Sequence, residues 1–525
     1  MRGLPHPKLS ENSRQSCSGV LGWVFLLAIL GIRFQALAEG TRQLEPRGAD
    51  PKSYCKLALF DSKVEYRIPF ALFHCSPEYR LNIRIHDHYT EKIYLAFGDV
   101  IDYVSDTILY HDVKYLVRDP NGNIVAGDST QPLPKSGEGY IENVSQAESG
   151  PQVGLSNPGG YKPIVISPLM DGDYYIEFKI PPQKQLEIRT FKYFDISVVK
   201  SGSPVTGRLW SKAWQLASGS VSSAVKASYS KFFIYTNDSI VTRFDCNGMA
   251  GGVWNIYSNE WGCATTGSWN QRRHSARGNA SILPQYKIFL NDPDPDVFPS
   301  GHIGRLDEVK VLNTECDTVV KFGANVSKSG NVEVFIDVPP LNPGGVGSED
   351  VKLIYPVQPG ENILLPAWNG KDGRGHIVEN GTLITTSMRF LNGLTNLPLY
   401  DVEDNPNGFK VDIQRPLPAS GNTKLGLFWD DTYLPNSTPA SSNITEGCIY
   451  SGAGTQSGCH AWKYSERHSI GDTNTINTWW YLITESSQSI PISLKIRPSA
   501  GNISGPDMIC SGREIDFESI TIDYA

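Results

Sequence analysis

Apolar and polar residues alternate with a period of two through much of the chain. In "RLNIRIHDH", Leu81, Ile83 and Ile85 alternate with Asn82, Arg84 and His86. In "NVEVFIDV", Val332, Val334, Ile336 and Val338 share one face, and "GDYYIEFKI" (172–180) and "FDISVV" (194–199) behave alike. This period predicts strands with one face turned to a core. Turn-forming clusters separate them: "DPNGN" (119–123), "SNPGG" (156–160), "NPGG" (342–345) and "NPNG" (405–408). Helical periodicity is nearly absent; Gly207 to Ser230 is Ser- and Ala-rich without an apolar stripe. The expected fold class is all-β, a tandem array of β-sandwich domains of Ig-like or jelly-roll-like type.

Shifts in composition divide the chain. A β-sandwich domain is expected over 39–200, ending at "KSGSPVTG". A second β-domain over 201–315 contains the Trp-rich stretch "GMAGGVWNIYSNEWGCATTGSWNQRRHSARGN" (248–279). A compact Ig-like domain covers 316–402, and a Thr/Ser/Asn-rich β region covers 403–504. Residues 505–525 open a further module that stops after one or two strands, too little to bury a core. The chain is therefore expected to be a fragment or an early-terminating form of something longer.

Residues 1–38 have the pattern of a signal peptide. Arg2, Lys8 and Arg14 precede an apolar run from Val20 to Ile32, and Ala36-Leu37-Ala38 supplies the small-x-small cleavage signal. A signal anchor is the alternative, although the run is short for a membrane span and no later stretch is apolar enough for one. Loss of the leader removes Arg2, Lys8, Arg14, Arg33 and Glu11, taking the net charge from −8 to −11. An acidic exported chain is a poor nucleic-acid binder. The expected location is secreted or on the outer cell surface, reached through the export machinery.

Cys17 leaves with the leader, so the nine cysteines become eight, an even number suited to disulfides in an oxidising compartment. The shortest-range pairs are Cys55 with Cys75, Cys246 with Cys263, and Cys448 with Cys459; Cys316 and Cys510 are left over.

Candidate chemistry is sparse. No Gly-x-Ser-x-Gly, His-Glu-x-x-His, phosphate-cradling loop or Cys-x-x-Cys occurs, so no catalytic residue and no cofactor is assigned. Asp292, Asp294 and Asp296 in "NDPDPDVFPSG" place oxygen ligands at alternate positions, as Ca²⁺ prefers, but without the glycine of a tight cation loop. They are weak candidates, as is "DVEDNPNG" (401–408). Trp254, Trp261 and Trp269 can form a sugar-stacking platform with Arg272 and Arg273 beside it, or can fill a sandwich core. The platform requires at least two exposed, coplanar indoles. "CHAWKYSERH" with "NTINTWWY" poses the same choice.

Five stretches taken in order carry a resemblance: "PQYKIFLNDPDPDVFPSG" (284–301), "LPAWNGKDGRGHIVENGT" (365–382), "FLNGLTNLPLYDVEDNPNGF" (390–409), "GLFWDDTYL" (426–434) and "GDTNTINTWWY" (471–481). Together they resemble the N-terminal region of large exported Bacteroidetes surface proteins. Those proteins carry tandem Ig-like and PKD-like repeats and end in a gliding-motility-associated, type IX secretion sorting domain. "WNGKDGRGHIVENGT" also resembles the hairpin of flagellar hook-cap-type Ig domains, which implies structural roles for Trp368, Gly370, Gly373, Gly375 and Gly381. "ISGPDMICSGREIDF" resembles the start of a PKD-like repeat. The resemblance implies a non-enzymatic, adhesin-like scaffold with an extracellular polymer or cell-surface partner. The alternatives are a carbohydrate-binding module of a polysaccharide-active protein and a secreted hydrolase.

Overall fold

The computed structural model describes residues 38–46, 53–60, 68–102, 108, 113–154, 156–180, 188–218, 227–312, 319–339, 350–418, 423–435, 443–444, 447–451, 458–464, 469–484 and 488–494. The leader up to residue 37, Cys316, Cys510 and the module expected at 505–525 lie outside the described residues.

Among the described residues, α-helix is confined to Thr41–Leu44, Val144–Ser149 and Trp269–Arg273. The remaining regular structure is almost all strand, in antiparallel and open sheets, so the chain is all-β as its period-two pattern requires. Leu81, Ile83 and Ile85 are fully buried, as are Val332, Val334 and Ile336. No helix among the described residues is long and apolar enough to cross a membrane.

The sheets do not respect the expected boundaries. Strand Leu209–Ser211 pairs with Leu81–Ile85, and Ala213–Ala217 pairs with Lys56–Leu59, so the break expected near residue 200 falls inside shared sheets. Val241–Asp245 pairs with Lys410–Arg415, which carries the region expected at 403–504 back into the same body. A single core runs from Leu44 through Trp214, Trp254 and Ile288 to Trp480 and Leu482. The Trp214 indole N–H crosses it, donating to the Ile288 carbonyl at 3.0 Å. The physical reason is that local alternation marks a strand but not its partner, and here partners lie far apart in the chain.

The Ig-like expectation comes nearest to an autonomous unit. Leu306–Leu312, Val320–Val326 and Gly360–Trp368 form a three-stranded sheet. It shares a second core with Gly330–Asp337, Val351–Val357 and the first part of Leu383–Tyr400, including Phe322, Val334, Ile336, Ile384 and Phe390. Strand Gln488–Ser493 pairs with Leu383–Met388, so the unit is wider than 316–402 and closes with a strand from nearly a hundred residues on. In its hairpin, Trp368 is buried and its indole N–H donates to the Lys371 carbonyl at 2.8 Å. Gly370, Gly375 and Gly381 take positive φ there; Gly373 does not.

The two cores are joined by one strand, Leu383–Tyr400, 18 residues long. Its first half pairs with Gly330–Asp337 and Gln488–Ser493 in the sandwich. Its second half pairs with Thr475–Thr484, and its last residues with Val253–Tyr257, in the body. A bulge between Asn392 and Thr395 marks the crossing. Gly393 has φ +62 there, and a Cβ would stand 2.8 Å from Ile240 Cγ2. Just before it, the Phe390 ring lies on bare backbone: a Cβ on Gly330 would approach its Cζ to 2.4 Å. Gly330→Ala is therefore expected to cost about 1–3 kcal/mol by overpacking. Denaturant unfolding checks this, and Phe390→Leu in the Gly330→Ala background should recover part of the loss; additive losses would place the strain elsewhere.

Candidate functional site

The Trp-rich stretch is core, not platform. Strand Val253–Tyr257 is buried throughout, and the Trp254 indole N–H donates to Ser218 Oγ at 3.1 Å. Trp261 is half-buried. Trp269 opens a one-turn helix whose N-terminus is capped reciprocally by Ser268 and Gln271. Its indole is 5% exposed and meets Trp479 edge-on at 5.6 Å. The second aromatic cluster is buried as well, with Trp479 and Trp480 at 0%. A pair of exposed, coplanar indoles, the condition for sugar stacking, is not formed by these residues.

The arginines expected beside a sugar have other tasks. Arg272 is half-buried at the end of the helix. Arg273 is 1% exposed and donates from Nη2 to the Glu260 carbonyl at 2.7 Å. Burial, with help from neighbouring Arg272, pushes its pKa down to about 9. Its guanidinium stacks 4.2 Å from the Trp269 ring, and Lys352 of the sandwich approaches that ring at 5.4 Å. Trp269 thus lies between a cation of the body and a cation of the sandwich.

Glu333 completes this junction. Its carboxylate is fully buried, pairs with Arg389 and Lys352 (3.6 Å to the latter), and accepts from the Tyr481 hydroxyl at 3.3 Å. Burial disfavours its charge, but Lys352 and Arg389 outweigh burial and hold it below the usual carboxylate value. Lys328 adds a second tie, donating to the carbonyls of Asp238 (2.6 Å) and His302 (2.8 Å). Leu394, Phe428 and Trp479 fill the space around Trp269.

A chain of polar groups threads the body. Ser275 Oγ donates to Asp431 Oδ1 at 2.6 Å, Asp431 Oδ2 is 2.8 Å from His460 Nε2, and His460 Nδ1 is 2.6 Å from Thr478 Oγ1. Trp429 stacks on the imidazole at 4.9 Å. Hydroxyl, imidazole and carboxylate in this order are the components that activate a nucleophile. Here they are sealed, with His460 4% exposed and Thr478 at 0%. Their evident work is to tie the segment after Trp269–Arg273 to Thr423–Trp429, Thr475–Thr484 and the disulfide loop. The sequence named no member of this chain, because its residues are spread over two hundred positions.

Three carboxylates converge at the end of strand Thr475–Thr484. Oxygens of Asp401, Glu403 and Asp472 lie within 4.8 Å of one another. Asp401 has φ +64 and accepts the Thr473 amide at 2.9 Å; Thr473 has φ +56. A hard divalent cation such as Ca²⁺ is the ligand such oxygens suit, with further ligands needed to reach its usual six to eight. "DVEDNPNG" contributes two of the three; Asp472 comes from a segment the sequence pattern did not connect with it. The candidates Asp292, Asp294 and Asp296 are placed differently. Asp292 pairs with Arg415 at 3.0 Å, and Asp294 pairs with Arg208 at 2.8 Å and accepts the Asp296 amide at 2.9 Å. Asp292 and Asp294 serve as counter-charges and Asp294 as a turn acceptor, which takes two of the three out of the alternating ligand set.

Of the expected disulfides, Cys448–Cys459 is formed. Cys55, Cys75, Cys246 and Cys263 are buried free thiols, which corrects the other two pairings. Their neighbours give the reason. Cys55 faces the hydroxyls of Ser228 and Ser230, and Cys246 shares Ser228 with it. Cys75 lies near Glu177 and Arg80, and Cys263 near Asp431. Sequence proximity put the members of each expected pair together; the sheets separate them.

Two predictions follow from these buried networks. Glu333→Gln leaves Lys352 and Arg389 without their counter-charge and is expected to cost about 3–5 kcal/mol in denaturant unfolding. Because the folded-state pKa of Glu333 is lowered, its contribution is present above pH 4.5 and lost as pH falls below it. Melting curves from pH 3 to 6 should show a shallower acid loss in the variant than in the native chain.

No family model matches the chain, and no curated protein does. Among solved structures, a DUF4785 family protein from Legionella pneumophila is similar at 9% identity over 67% of this chain and 93% of that one, with a TM-score of 0.12. A likeness at that level carries no argument about fold or function.

Proposed function

We propose that the protein is a non-enzymatic, exported scaffold of the cell surface, adhesin-like in its contact with an extracellular polymer or cell-surface partner. The observation that carries this reading is the continuous strand Leu383–Tyr400, which makes the sandwich and the body one mechanical piece. A spacer that presents a binding face under load needs modules that do not hinge. Domains linked only by loops move relative to each other by default. The junction around Glu333, Trp269 and Lys352 opposes such movement with packed aromatics and paired charges. The leader-like N-terminus, the Cys448–Cys459 disulfide and the resemblance to large exported Bacteroidetes surface proteins support the extracellular setting.

Protease shaving of intact cells, followed by binding of the purified 39–525 chain to whole cells and extracellular polysaccharides, tests the proposal. The expected result is release of its peptides from the surface and saturable binding. A chain that stays protected inside the cell would sink the surface assignment, and a surface chain that binds nothing would reduce the role to that of a spacer. Calorimetry tests the coupling: a single transition for sandwich and body is expected, and Trp269→Ala should split it into two.

A further inference from the structure

Glu39 is the residue that would follow cleavage after Ala36-Leu37-Ala38, and it is fully buried. Both of its ends are held. Its carboxylate accepts the amides of Gly207 (2.5 Å), Arg208 (3.1 Å) and Leu209 (3.0 Å), and the Asn291 side chain at 3.1 Å. Its carbonyl accepts the Ile196 amide at 3.0 Å. Its backbone nitrogen points at Asp195 Oδ1 and Ser197 Oγ, each 3.2 Å away.

Asp195 poses the question. It is 1% exposed, and the Glu39 amide and the Ser197 hydroxyl both address Oδ1, while Oδ2 is buried beyond the reach of either. The Tyr161 hydroxyl, also buried, is a further neutral donor beside this carboxylate. Burial pushes the Asp195 carboxyl up to about 6, and Arg42, the cation among its main influences, ranks last of them and is engaged with the Glu148 carbonyl. A buried carboxylate met by one neutral amide and two hydroxyls is short of a counter-charge.

We propose that the Ala38–Glu39 peptide bond is the maturation cleavage site and that the α-ammonium created on Glu39 becomes the buried counter-charge of Asp195. A water molecule adds across the bond, supplied with an export-pathway endopeptidase that accepts small residues at its first and third sites. Hydroxyl goes to the Ala38 carbonyl carbon, a proton to the Glu39 nitrogen, and the C–N bond breaks. A second proton from solvent gives the ammonium, the usual state of a free α-amine below its pKa of about 8. The nitrogen stays beside Asp195 but gains donors and a charge, so it can serve both carboxylate oxygens and Ser197. Ala38 is 1% exposed, so the bond is sealed once the chain folds and must be cut before folding, as happens during export. The first residue of the mature chain would then join the edge of strand Phe194–Lys200 to the turn before Leu209–Ser211.

The inference rests on export of the chain but not on adhesion. Intact mass of the secreted protein should give Glu39 as the first residue. Another first residue in a secreted protein overturns this inference alone, and a chain retained in the cell with its leader overturns export with it. Asp195→Asn should then lower Tm by about 5 °C or more in the chain that begins at Glu39. It should do little in a chain extended by Gly-Ala before Glu39, where the nitrogen is again an amide. Equal losses in both forms would overturn the ion pair. Should the variant not fold, acylation of the native chain at pH 8 decides the matter: the Glu39 amine should stay unlabelled while exposed lysines react, and ready labelling would overturn the proposal.

Discussion

Every amide and carbonyl along Leu383–Tyr400 must find a partner while the strand leaves one core and enters another. That accounting shapes the middle of the molecule. At the crossing Thr475–Thr484 runs past on one edge, while on the other the pairing with Gly330–Asp337 ends before that with Val253–Tyr257 begins, and other groups stand in. The Asn392 amide exchanges two hydrogen bonds with the Gly304 backbone, Asp238 accepts the Gly393 amide, and Asn396 exchanges backbone bonds with Asn259. The polar residues of "FLNGLTNLP" thus supply hydrogen bonds where one strand of a continuous sheet passes from the sandwich core to the core of the body. Adjacent Phe390 fills the space that glycines at 304 and 330 leave open.

Charge is used at the junction in the same economical way. Glu333 does not strengthen the core as a hydrocarbon would, since a buried ion pair returns little beyond its own desolvation. What it adds is specificity: Arg389 and Tyr481 belong to strands that reach from the sandwich toward the body, and a displaced strand would leave all of these groups unpaired. Trp269, held between Arg273 and Lys352, reports the same geometry in a different chemistry. Trp214, Trp254, Trp269, Trp479 and Trp480 are thereby absorbed by joints and cores.

Much of the secondary structure was legible in the sequence, because the period-two spacing of apolar residues at 81–85, 172–178 and 331–338 marks a strand even where, as at Asn82, Glu177 and Glu333, the polar positions between them are buried as well. The Trp368 hairpin lies where the expected motif put it, but the unit around it takes strands from outside 316–402 at both ends. Pairing was not legible: nothing local to "AWQLA" says that it lies between residues 56–59 and 253–257. The polar chain from Ser275 to Thr478 and the meeting of Asp472 with Asp401 and Glu403 were hidden for the same reason. The tryptophans left two choices open, and only burial could decide between them. Cysteine spacing succeeded where the closed loop is short and the segment faces itself, at Cys448 and Cys459, and failed where sheets intervene.

The four free thiols set a condition on how the chain comes to be folded. Burial raises the pKa of Cys55, Cys75 and Cys263 to about 12 and that of Cys246 well above its ordinary value, so these four hold almost no thiolate once folded. Before folding, the same sulfurs are ordinary and reactive. In an oxidising compartment the chain is then in a race: sheets must close over Cys55 and Cys246 before any wrong pair is captured. The eleven-residue separation of Cys448 and Cys459 favours that bond in the unfolded chain, where short loops close most readily. Among the described residues, folding under such conditions would yield one crosslink and four silent sulfurs, an outcome set by the order of events as much as by the stability of the end state.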